Sequence, residues 1–87
     1  MQSTINDREA GKYTAQFRDA ADRFVDLHES EQWDVRGTHA YGSSGLMIQL
    51  QLQVGGSVCY SLIQVKAGEA DNIFEAMEHA RSRLVPE

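Results

Sequence analysis

Eighty-seven residues make one domain, large enough for a modest core and too small for separate substrate and cofactor domains. Thirteen acids against eight bases give a formal net charge of −5, which excludes the broad basic footprint that phosphate recognition needs. The single cysteine, Cys59, excludes an intramolecular disulfide; with no apolar segment following Met1, it points to a reducing, cytoplasmic setting without membrane association.

Residues 1–5 read as a frayed end. Asn6-Asp7-Arg8-Glu9 then offers a capping box, with Asn6 at the cap and Glu9 three residues on. Ala10, Tyr13, Phe17, Ala20, Phe24 and Leu27 follow at spacings of three and four, the stripe of an amphipathic helix running to about Glu31. Ala21 and Val25 widen that stripe. Asp19, Asp22, Arg23 and Asp26 fall on the other side, where Asp19 and Arg23 are spaced to pair. With Glu29 and Glu31 these acids make an acidic helix face. Its plainest reading is a solvated surface; its functional reading is a dock for a protein with a basic surface.

Trp33 to Tyr41 reads as a first strand, with Trp33, Val35, Gly37, His39 and Tyr41 on one face. Gly42-Ser43-Ser44-Gly45 is a flexible turn. From Leu46 to Val54, apolar residues alternate with Met47, Gln49, Gln51 and Gln53, the pattern of a half-buried strand. Gly55-Gly56 marks a two-residue hairpin turn into Ser57 to Lys66. That turn sets Val54 opposite Ser57, Leu52 opposite Cys59, Leu50 opposite Ser61, Ile48 opposite Ile63 and Leu46 opposite Val65. One face of the hairpin is then core. The other carries Met47, Gln49, Gln51, Gln53, Val58, Tyr60, Leu62 and Gln64, with no charge. No Asp, Glu, Lys or Arg occurs from Gly37 to Val65. A water-facing sheet surface usually carries charges, so this one reads as a surface that expects a cover.

Ala67 to Ala70 is an exit loop. A second helix starts near Asp71 or Asn72, with Asn72 and Glu75 as a second capping box. Ile73, Met77, Ala80 and Leu84, helped by Phe74, form its apolar stripe. Arg81 and Arg83 suit the last turns, and Pro86 ends the helix. The expected architecture is a single α-β-β-β-α domain over 1–87, of the α+β class. It has a helix, a three-stranded antiparallel meander and a helix, both helices lying on one sheet face.

This order resembles the double-stranded RNA-binding domain over roughly Asp7 to Val85. The local likeness is Leu50-Gln51-Leu52-Gln53-Val54-Gly55-Gly56 through Tyr60, then a helix with small residues at Ala76 and Ala80. The resemblance implies RNA contacts from the first helix, the loop between the first two strands and a lysine cluster opening the second helix. The matching helix start here is Glu69-Ala70-Asp71-Asn72, and the matching loop is Gly42-Ser43-Ser44-Gly45, with Gly37-Thr38-His39 nearby. A carboxylate at a phosphate-facing position repels RNA at close range. The resemblance therefore carries topology further than it carries nucleic-acid binding.

The side chains that could carry chemistry are His28, His39, His79, Cys59, Tyr41, Asp34 and Tyr60. One cysteine and three scattered histidines form no zinc pattern, and no cofactor motif is present. Cys59 faces the core, where cysteine serves as a small apolar filler. A small enzyme using Cys59 or His39 is the minor alternative. The leading expectation is a non-catalytic interaction module that forms a homodimer through the uncharged sheet face, with Tyr60 as its anchor. By analogy of size and charge, such a chain can be an acidic inhibitor of a larger nucleic-acid-handling machine, in the style of phage anti-defence and anti-CRISPR proteins.

Overall fold

The computed structural model describes residues 3–39 and 45–85. The elements run β1 (Thr4–Glu9), a 3-10 turn (Gly11–Tyr13), α1 (Thr14–Leu27), β2 (Gln32–His39), β3 (Gly45–Val54), β4 (Ser57–Lys66), a second 3-10 segment (Ala67–Asn72) and α2 (Ile73–Leu84). The strands form one sheet in the order β1-β2-β3-β4. β1 is parallel to β2, while β2, β3 and β4 are antiparallel neighbours. The fold is thus α+β with a four-stranded mixed sheet. The expected α-β-β-β-α order with a three-stranded meander lacks its first strand. No helix among the described residues is long and apolar enough to cross a membrane.

The missing strand lies where the sequence suggests a frayed end and a helix cap. Thr4 and Ile5 pair with Asp34 and Val35, and Ser3 Oγ accepts the backbone N–H of Trp33 at 2.9 Å. The capping chemistry of Asn6 is real but serves a different backbone: its Oδ1 accepts the N–H of Arg8 at 3.1 Å. This bond sits where the β1 register shifts between Asn6 and Glu9. The chain then reverses through Gly11, whose φ of +61° suits glycine, with His39 packed closely beside it. Thr14 Oγ1 donates to the Gly11 carbonyl at 2.6 Å, and α1 follows.

One continuous core lies between the sheet and the two helices. It joins Phe17, Ala20, Ala21 and Phe24 of α1 and Ile73, Met77 and Ala80 of α2 to Trp33, Val35, Leu46, Ile48, Leu50, Leu52 and Val65 of the sheet. The period-two and period-three/four patterns select these residues. α1 is shorter than its stripe suggests, ending at Leu27, which is 61% exposed. His28 through Ser30 turn away from the helix, so Glu29 and Glu31 are not on it. Asn72 does stand at the N-cap of α2, but its side chain makes no capping hydrogen bond.

The β3–β4 register matches the turn-based expectation at all five positions: Val54 with Ser57, Leu52 with Cys59, Leu50 with Ser61, Ile48 with Ile63 and Leu46 with Val65. Gly55 has φ +60° and Gly56 has no positive φ, the sign pattern of a type II′ turn. Gly45, expected in the preceding turn, already pairs with Lys66. The expected strand end at Ala40 and Tyr41, the loop 42–44 and the stop at Pro86 lie outside the described residues.

Candidate interaction surface

Alternation carries the residues left over from the core to the opposite sheet face. On β4, Tyr60 is 64% exposed, Leu62 61% and Val58 47%; on β3, Met47 is 37% exposed. Gln53 and Gln64 are also exposed, and Gln49 and Gln51 are half-buried by their neighbours. Cross-strand pairing places Gln51 beside Tyr60, Gln49 beside Leu62, Gln53 beside Val58 and Met47 beside Gln64. All eight expected surface residues therefore share one contiguous patch. Exposed Tyr and Leu side by side on a strand are a concentrated apolar feature for a chain this small.

The full open face is wider than the hairpin, and its second half is charged. Asp34 and Arg36 of β2 stand beside Gln51 and Gln49. They are matched on the β1 side, where Thr4 Oγ1 donates to Asp34 Oδ1 at 2.9 Å and Arg36 pairs with Glu9. The face thus divides along the sheet into a polar half on β1–β2, which carries Asp34, Arg36 and Glu9, and a half on β3–β4 that is uncharged from Met47 to Gln64, with Lys66 at the end of β4. The expected uncharged face takes in the hairpin alone and leaves out the β2 residues Asp34 and Arg36. The signal was present in the alternation of Trp33, Val35 and Gly37 against Asp34 and Arg36.

The acidic residues are dispersed. Asp19, Asp22 and Asp26 are exposed along α1, and Glu29 is exposed in the turn beyond it. Arg18 lies 3.5 Å from Asp22 and 3.7 Å from Asp7. Arg23 does not pair with Asp19; its guanidinium lies 4.4 Å from the centre of the Phe74 ring. Glu31 is committed elsewhere. Arg81 donates to both of its oxygens, at 2.8 and 2.6 Å, and Trp33 Nε1 donates at 3.0 Å. The Arg81 hydrogen bonds hold the Glu31 carboxyl below its ordinary value of 4.5, against the opposing pull of partial burial, with Trp33 and His28 assisting. Arg81 is raised by the same contact. Beside this knot, His28 Nε2 lies 2.7 Å from Glu78 Oε1.

The groups considered for chemistry do not converge. Cys59 sits half-buried on the helix-facing side of β4, opposite Leu52. His39 stacks on Tyr13 with ring centres 5.9 Å apart, at the other end of the β2–β3 ladder. Among the described residues, no group of three or more His, Cys, Asp and Glu is placed to hold a metal ion. A groove of about 450 Å³ opens at the hairpin end, between Leu52 and Val54 on one side and Leu84 and Val85 on the other.

No protein-family model matches this chain. No curated protein matches its sequence either.

Proposed function

We propose that the protein is a non-catalytic interaction module that associates with a second copy of itself through the uncharged half of its open sheet face. The observation that carries this reading is the side-by-side exposure of Tyr60 and Leu62 on a surface uncharged from Val58 to Gln64. A rigid aromatic with a polar tip is the strongest anchor such a surface offers. Self-association suits it because two neutral patches meet without repulsion, although each chain carries −5. The acids of α1 lie on the far side of the sheet and stay free for a basic partner. An inhibitor of a larger nucleic-acid-handling machine is the role that fits this leftover surface.

Solution mass measured by light scattering across concentrations is the test. The wild type is a dimer, and Tyr60→Ala with Leu62→Asp is a folded monomer. An unchanged dimer in the double variant overturns the assignment of the contact. Reversing Asp19, Asp22 and Asp26 to Lys leaves the dimer intact. Salt-sensitive binding of the wild type to duplex RNA would instead favour the RNA-binding reading.

A further inference from the structure

β4 is the last strand of the sheet, and no described strand lies beyond it. Its two-residue turn makes Val54 and Ser57 a hydrogen-bonded pair, and hydrogen-bonded pairs alternate along an antiparallel ladder. Ser57, Cys59, Ser61, Ile63 and Val65 therefore spend their backbone groups on β3. The N–H and C=O groups of Val58, Tyr60, Leu62 and Gln64 point outward, along an open edge. The usual protections of an edge strand are proline, inward charge, a bulge or shortness. β4 has ten residues in unbroken register, no proline, and no charge before Lys66. Its helix-facing side is also incompletely covered: Cys59, Ser61 and Ile63 remain half-buried, and only Val65 is fully packed.

We infer that this edge pairs antiparallel with β4 of a second copy, centred on Ser61, so that two four-stranded sheets become one of eight strands. This rests on the self-association proposed above and places its contact along the β4 edge, beside Tyr60 and Leu62, rather than face to face. The register follows from the strand itself. Centring on Ser61 sets Tyr60 beside Leu62 of the second copy and Val58 beside its Gln64, each twice by symmetry. Every outward backbone group from Val58 to Gln64 is then satisfied, giving about eight main-chain hydrogen bonds, within the range of a specific interface. Centring one residue later, on Leu62, would set Lys66 against Val58. The charge distribution agrees, because the acidic helix α1 packs over β1 and β2 while α2 packs over β4, so the acids of the two copies stand apart.

The test combines a cross-link with amide exchange. In this register the Cα atoms of Ser61 and its copy form a non-hydrogen-bonded pair about 4.5 Å apart, within disulfide reach. The C59S/S61C chain is expected to form a covalent dimer on mild oxidation. Ser61 lies on the helix-facing side, so contact between two open faces would not cross-link it. In the wild type, the Tyr60 and Leu62 amides are expected to exchange as slowly as those of Cys59 and Ser61, and to lose that protection on dilution. A wild-type dimer with fast exchange at Tyr60 and Leu62 and no S61C cross-link overturns edge pairing while leaving self-association through the face standing. A monomer at every concentration overturns both.

Discussion

The ring of Phe17 lies flat against the backbone of Gly37, so close that a Cβ on Gly37 would stand 2.9 Å from Cε1. Gly37 is buried in β2 opposite Ile48, and Phe17 is the side chain by which α1 rests on the middle of the sheet. A glycine in a strand weakens the strand but lets another element approach it.

Gly37→Ala is therefore expected to destabilise the fold by about 1–3 kcal/mol, the usual cost of overpacking a core. Urea unfolding measures it. Combining it with Phe17→Leu should recover part of the loss, because the flat ring is what the new methyl strikes. A strictly additive double variant would show that the two residues do not share the strain.

The Glu31–Arg81 pair predicts a pH dependence. The folded chain holds the Glu31 carboxyl below 4.5, so the unfolded chain takes up that proton more readily. The stabilisation is complete above that value and is lost as pH falls through the lower, folded-state value. Glu31→Gln should flatten this part of the acid-unfolding profile. At neutral pH it should cost about 1–3 kcal/mol, as charge-assisted hydrogen bonds to Arg81 are weakened. Unfolding monitored from neutral pH down past 4 checks both.

β1 gives a third prediction. Ile5 packs against the edge of the core from a strand that looks expendable in the sequence. Ile5→Ala is expected to lower stability by about 2 kcal/mol, the low end for such a truncation. A change within about 0.5 kcal/mol, the range for an ordinary surface site, would mean that β1 contributes little.

The hairpin was legible because two independent signals agree on its register: strict alternation from Leu46 to Val54, and glycines at a turn that only one loop length fits. The stripes of α1 and α2 were legible for the same reason. β1 was not. Its six residues contain one apolar side chain, Ile5, because an edge strand with one face half-covered needs no more. Asn6 and Glu9 then imitate a helix start, since an Asn side chain accepts a backbone N–H equally well in a strand irregularity. Without β1 the three-stranded pattern is self-consistent, and Asp34 and Arg36 lack the partners, Thr4 and Glu9, that mark their place on the open face. The eight neutral surface residues could be named from alternation alone. The Glu31–Arg81 knot could not, because it joins a turn to a helix across a distance that no local pattern encodes.

The two borders of the sheet are unlike. β1 is short, runs parallel to its neighbour, slips register between Asn6 and Glu9, and carries Asp7, Arg8 and Glu9 along its course. Such a border is a poor template for another strand. Growth of the sheet is then favoured on the β4 side. Under the edge pairing proposed above, the assembly would present two β1 borders and would not extend into a filament. The irregularity in β1 would then act as a stop, letting the chain keep a smooth neutral strand without polymerising.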